Sequence, residues 1–231
     1  MTQPHVVSIP VSQIHVPEED RALLGVEWFP IVAHAVIHRD GVFLFDTGIG
    51  TGNEEIERVF APRTTPITEA LTAGRISMAD VTGVANCHLH FDHSGQNYRI
   101  PPGVPIFAQE REWRMVHQPD YTIPEWIDAP GLSYELLDGE AEVAPGLRLI
   151  PTPGHAPGHQ SLLVETAEGT VVLAGQAVQS LAEWEGSTDR RDSGEEGAPD
   201  HDAYVASVQR LRSAEPVRVH FAHDAAVWQR A

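Results

Sequence analysis

The chain carries a single cysteine, Cys87, in 231 residues. That excludes an internal disulfide framework, a zinc site built from several cysteines, an iron–sulfur cluster and paired-thiol redox catalysis. Basic residues are scarce as well: 15 Lys and Arg stand against 33 Asp and Glu, a formal charge of −18. This balance repels phosphate backbones and anionic membrane surfaces, so neither nucleic acid nor a membrane is expected as partner. No apolar run approaches the length of a membrane helix, and residues 1–10 lack a basic start leading into a long apolar stretch. The expected location is cytoplasmic. Fixed-period repeats and heptads are also missing. What is left is an acidic chain long enough to bury a core without staples, read as one domain over 1–231.

Short runs rich in Val, Ile, Leu and Phe recur between Gly and Pro and predict strands at 31–37, 42–45, 104–107, 147–150, 161–164, 170–173 and 218–221. Helices are predicted at 54–60, 67–73, 109–117 and 201–212, the last after a capping Asp200. The interleaving suggests an α/β fold in which helices cover sheets and ligands sit where strands end. The segment 185–199 is nearly devoid of apolar residues and reads as a loop, either a lid or a solvated insertion.

Chemistry concentrates in His88-Leu89-His90-Phe91-Asp92-His93. Imidazole and carboxylate are zinc ligands, and catalytic zinc keeps a coordination position open. In an extended segment His88 and His90 project to one side, with a turn after Phe91 freeing Asp92 and His93 for a neighbouring position. Cys87 is expected to share its face with Leu89, away from the histidines, as a small buried hydrophobe. Two further candidates follow predicted strands: His155, in the sharp loop Pro153-Gly154-His155-Ala156-Pro157-Gly158-His159, and His223. His159, beside the start of the next strand, is expected either to support the metal-binding residues from behind or to be structural.

Taken with Thr152-Pro153-Gly154-His155 and Phe45-Asp46-Thr47-Gly48, these residues resemble the metallo-β-lactamase superfamily. Within it, 90–97, 121–128 and 151–161 are similar to the N-acyl-homoserine lactonase group. The resemblance implies an αββα sandwich with two metal ions, expected to be zinc, at one edge of the paired sheets. His88, His90 and His155 would bind the first ion, and Asp92, His93 and His223 the second. Asp46 would orient a ligand histidine from behind. The implied activity is a metal-dependent hydrolase, in which hydroxide made available by the metals opens a lactone ring, N-acyl-homoserine lactone above all, in a quorum-quenching role. The resemblance also points to a small-molecule substrate and a homodimer.

Two positions depart from the family pattern. Where such enzymes usually carry an Asp bridging both metals, this chain reads Ala174-Gly175-Gln176-Ala177. A unit charge pair at ~4 Å is worth roughly 4 kcal/mol at an effective dielectric of 20, so a neutral Gln176 implies a weaker second site or a different divalent metal. Where lactonases carry a Tyr three residues further on, this chain has Gln179, which can donate a hydrogen bond but cannot act as an acid. The candidate catalytic residues are therefore Asp92, Gln176 and Gln179, with Tyr98 or Tyr121 as substitutes for the missing Tyr. Trp28, Phe29, Trp113, Trp126 and Trp184 are candidates to line an acyl pocket. The competing expectations are a thioester or other ester hydrolase, an enzyme of specialised metabolism, and a ligand-binding descendant without turnover.

Overall fold

Two eleven-residue strands, β1 (His5–His15) and β2 (Trp28–His38), pair antiparallel at the start of the chain. β2 is buried on both faces over most of its length, which is why its sequence runs apolar without alternation. β1 was not predicted: Pro10 and two serines interrupt its apolar pattern, and its register shifts between Pro10 and Ser12, with Val11 the extra residue next to a proline that has no N–H to give. The computed structural model describes residues 3–16, 18, 21, 26–186 and 198–231. Most of the predicted loop at 185–199, and with it the lid reading, lies outside them.

The remaining strands are β3 (Gly41–Phe45), β4 (Arg63–Thr64), β5 (Val81–Ala85), β6 (Pro105–Gln109), β7 (Ser133–Leu137), β8 (Ala141–Ala144), β9 (Leu147–Pro151), β10 (Gln160–Thr166), β11 (Gly169–Leu173), β12 (Arg218–His220) and β13 (Val227–Gln229). Among the described residues they form two sheets, ordered β4-β1-β2-β3-β5-β6-β7 and β13-β12-β11-β10-β9-β8. Between the sheets, Val36, Phe43, Phe45 and Ala85 pack against Leu147, Leu149, Leu162, Val164, Val171 and Leu173. Side chains of this size contribute about 1.5–3 kcal/mol each when fully buried.

Helices close both outer faces. α1 (Glu54–Phe60) and α2 (Ile67–Ala73) set Ile56, Ile67 and Leu71 against the first sheet. α1 is capped by Asn53, whose side chain accepts from the Glu55 and Ile56 amides. The second sheet is covered by α6 (Leu181–Trp184) and α7 (His201–Ser213) through Trp184 and Leu211. Short helices α3 (Phe91–Ser94), α4 (Glu110–Trp113) and α5 (Pro124–Ile127) lie in the connections. The architecture is the expected αββα sandwich. One predicted helix is shorter than expected. After Trp113 the backbone turns through three-residue bonds, Met115 N–H to Glu112 O at 2.9 Å and Gln118 N–H to Met115 O at 2.8 Å, and Pro119 disfavours helix at the residue before it.

A buried histidine pair spans the sandwich. His34 of β2 and His220 of β12 meet edge to face with ring centroids 5.4 Å apart, and Ser8 Oγ lies 3.2 Å from His220 Nδ1. Burial lowers both pKa values, His34 well below its ordinary value and His220 to about 4, with the neighbouring His220 and Arg218 charges respectively adding to the effect. Below the unfolded value of about 6.5 the folded chain thus binds fewer protons than the unfolded one, and stability present above that pH is lost on acidification. For His220 alone the loss between pH 7.5 and 5 is about 2 kcal/mol. Urea denaturation of chelator-treated protein at the two pH values should show His220→Asn losing that much less than the parent chain. Equal losses would refute the assignment.

Candidate metal centre

The residues singled out from sequence converge where strands of both sheets end. Asp46 follows β3 at φ 68°, a left-handed conformation Asp tolerates, and anchors the ligand loop. Its Oδ1 accepts from the Cys87 N–H at 2.7 Å, and its Oδ2 lies 3.0 Å from His93 Nδ1. The Thr47 N–H donates to His93 O at 2.7 Å, as does Asn86 Nδ2 at 3.0 Å. The loop is therefore latched at both ends before any ligand is considered. Gly95, which closes α3, passes so near Gly50 that a side-chain carbon on it would stand 2.3 Å from the Gly50 nitrogen.

Three imidazoles form the first group. His155 Nε2 lies 3.2 Å from both His88 Nε2 and His90 Nδ1. Burial, with the surrounding histidines, pushes His88 well below its ordinary pKa; burial takes His90 to about 4. One proton can be shared between two facing nitrogens, but a third then presents its lone pair to the same point. A cation satisfies all three, so the donor set fits a metal ion.

The second group adjoins it. Asp92 Oδ2 lies 3.1 Å from His93 Nε2 and 3.6 Å from His223 Nε2, and Gln176 Oε1 lies 2.9 Å from His93 Nε2. The ring centroids of His88 and His93 are 4.3 Å apart, so the groups share a wall. Asp46 on His93 Nδ1, and the Pro30 carbonyl 3.0 Å from His223 Nδ1, fix the far nitrogen of each ring as the donor and turn Nε2 inward. Burial alone would raise Asp92 and lower His93. Their proximity reverses both: Asp92 is held well below the carboxylate range and His93 well above its ordinary value. An anionic carboxylate, two imidazoles and a neutral amide oxygen fit a second cation.

Gln176 is set by a chain of hydrogen bonds whose direction is determined. Its backbone N–H donates to His159 Nε2 at 2.9 Å, so His159 carries its proton on Nδ1, 2.9 Å from Thr152 Oγ1. Ser161 Oγ donates to Ala174 O at 2.9 Å and therefore accepts from Thr152 Oγ1, 2.7 Å away. His159 is thus structural, as expected, and the alternative grouping of Cys87, His88 and His159 offers a poorer ligand set. Burial and the nearby Asp46 also drive the Cys87 thiol strongly upward, leaving it inert.

Two local expectations fail. Residues 86–90 form a bend instead of a strand, and the helical turn begins at Phe91 itself. Strand alternation therefore does not apply, and Cys87 Sγ faces the histidines, 3.1 Å from His88 Nδ1 and 3.2 Å from His93 Nδ1, while Leu89 packs with Ala108, Val116 and Ile127.

Other candidates separate by place. Tyr121 packs edge-on to His90, centroids 4.6 Å apart, and its hydroxyl donates to Glu112; Tyr98 shares a 3.2 Å hydrogen bond with Thr51. Gln179 is half-buried, and its backbone N–H donates to Glu183, which also accepts from Tyr204. Phe29 stacks on His223 with centroids 4.4 Å apart. Trp28 lies under Arg63, Trp113 against Tyr134, Trp126 over Gly50 and Trp184 on Trp228. Glu112 was not singled out from sequence, since an acidic residue in a predicted helix carries no sign of burial. It is 1% exposed, directly behind the histidine loops.

The profile of the metallo-beta-lactamase superfamily matches residues 26–223. An N-acyl homoserine lactonase of Bacillus cereus is 32% identical over 211 residues, covering 84% of this chain and 81% of that protein. The N-acyl homoserine lactonase AiiA of Bacillus thuringiensis subsp. kurstaki is 31% identical over 212 residues with the same coverage. Among solved structures, an N-acyl homoserine lactone hydrolase with the product N-hexanoyl-L-homoserine bound at its catalytic metal centre superposes with a TM-score of 0.75 at 25% identity, over 97% of this chain and 94% of that one. A B. thuringiensis AiiA variant with N-decanoyl-L-homoserine bound gives 0.78 at 26%, over 97% and 95%. With its fold, its histidine–aspartate clusters and these relatives in agreement, the chain belongs to the metallo-beta-lactamase superfamily.

Proposed function

We propose that this chain is a metal-dependent hydrolase that opens the ring of a lactone, with N-acyl homoserine lactones as its substrate class. The observation that carries the reading is the convergence of His88, His90 and His155 beside Asp92, His93, His223 and Gln176 at the mouth of the two sheets. The first three would hold one ion and the other four a second, zinc suiting the imidazole-rich donors. Bound divalent ions supply a Lewis acid for an ester carbonyl and hydroxide near neutral pH.

The protein's own part is positional. Asp92 lies within reach of two imidazoles and carries the charge that a cation pair requires. Gln176 brings an amide oxygen without charge, which supports unequal ion affinities. Phe29, stacked on His223, gives the site an aromatic wall suited to an acyl chain or a lactone ring. The Tyr121 hydroxyl is committed to Glu112, and burial raises its pKa further, so it is a poor proton donor to a leaving alkoxide. The amides of Gln176 and Gln179 would then be the groups of this chain left to donate to the ester oxygen, beside whatever polarisation bound ions would supply.

The test compares zinc-loaded protein on N-acyl homoserine lactones of graded chain length and on matched acyl thioesters, following acid release with a pH indicator. Lactones should turn over at least about tenfold faster, and stripping with chelator should abolish the activity. Faster thioester turnover would replace the substrate assignment. Binding of lactones without turnover in the fully loaded protein would replace the enzyme assignment.

A further inference from the structure

The Glu112 carboxylate meets three donors, each from a different segment around the histidine cluster. Oε1 accepts from the Leu89 N–H at 2.9 Å and from the Tyr121 hydroxyl; Oε2 accepts from the Gly158 N–H at 3.1 Å. Leu89 separates His88 from His90, and Gly158 lies three residues past His155. The Tyr121 ring packs against the edge of His90. All three imidazoles of the first group are thus connected to one side chain, although they come from loops after different sheets.

The fit is close on each side. A side-chain carbon at Gly158 would stand 2.2 Å from the Glu112 nitrogen, so only glycine lets that loop reach the carboxylate. Glu112 sits on α4, a four-residue helix with bonds of its own, so the tie runs to a third element outside both ligand loops. A buried carboxylate is costly unless hydrogen-bonded, and here every donor points toward it, which suits the ionised, acceptor-only form. The sandwich does not require such a group for packing, since Leu89, Val116 and Ile127 fill the apolar space nearby.

We propose that Glu112 is a positioning residue of the metal centre, holding the His88–His90 bend and the His155 loop in one register through Leu89, Gly158 and Tyr121. This rests on the reading of those histidines as metal ligands. Groups that orient ligands from behind typically change metal affinity by about 10–100-fold when altered. Glu112→Gln keeps the shape but turns one acceptor into a donor facing another donor, leaving a buried clash.

The experiment titrates zinc into the full chain against a chromophoric chelator, for the parent, Glu112→Gln and Tyr121→Phe, at a temperature where each metal-free form is folded. Visible spectra of the cobalt(II)-loaded proteins report ligand geometry alongside. Glu112→Gln should weaken the tighter ion by at least about tenfold and shift the cobalt bands, with Tyr121→Phe moving both in the same direction by less. A purely structural role would lower metal-free stability while leaving zinc affinity within twofold and the cobalt bands unmoved, and that result overturns the proposal. Should Glu112→Gln fail to fold, unchanged affinity and spectrum in Tyr121→Phe overturn it equally. A parent chain that binds no zinc would instead remove the metal reading itself.

Discussion

In chelator competition, Gln176→Glu and Gln176→Asp proteins should hold the weaker of two divalent ions on the order of a hundredfold more tightly than the parent chain. Gln176 Oε1 already lies 2.9 Å from His93 Nε2, so its oxygen is placed among the second group of donors and lacks only charge. Replacing a neutral oxygen by an anionic one beside a cation gains roughly 4 kcal/mol per charge pair at an effective dielectric of 20; after desolvation about 2–3 kcal/mol remains. Glu keeps the side-chain length; Asp, a methylene shorter, shows whether reach or charge limits the site. The Gln176 backbone is fixed by His159, so neither variant shifts the loop by default. Two ions held equally tightly in the parent and both variants would show that Asp92, His93 and His223 suffice, and the idea of unequal sites would be abandoned.

Asp46→Ala should cost about 3–5 kcal/mol of folding stability in the chelator-stripped protein, measured by urea denaturation, and reduce zinc uptake as well. The substitution leaves the Cys87 N–H and His93 Nδ1 without their buried acceptor and puts alanine at φ 68°. Asp46→Asn separates the contributions, because Asn tolerates the left-handed backbone and retains an acceptor for Cys87 while losing the charge. It should cost about half as much stability but still weaken zinc binding, since His93 loses the anion that orients it. An Asp46→Ala protein within about 1 kcal/mol of the parent, the size of an ordinary substitution, would show that the latch is dispensable.

What could be read in advance divides along physical lines. The gathering of His88, His90, Asp92 and His93 was legible because three imidazoles and a carboxylate crowded into six residues have few uses but to converge, and that of His155 and His223 because each follows a recognisable strand. β10 and α1 were legible from compact apolar patterns bounded by Gly, Pro or a cap. β1 was not, because a strand that bulges at Pro10 loses its period. The orientation of Cys87 was misjudged because side-chain alternation holds only in a strand, and 86–90 is bent by the pull of Asp46 on the Cys87 amide. Glu112 was opaque for another reason: its importance lies in a partner far away in sequence, Gly158, and while Phe29 was legible as an aromatic candidate for the pocket, its stacking on His223 was not.

The hydrogen-bond chain beneath Gln176 has a consequence for proton traffic. Each link, from the Gln176 N–H through His159, Thr152 and Ser161 to the Ala174 carbonyl, points the same way, and it begins on a peptide amide that does not release its hydrogen. Such a wire cannot conduct: sending a proton along it would require every hydroxyl to reverse and His159 to surrender the nitrogen that holds the loop. The stretch of structure beneath Gln176 is therefore an insulator, and a proton moved by the reaction leaves by another route than this one.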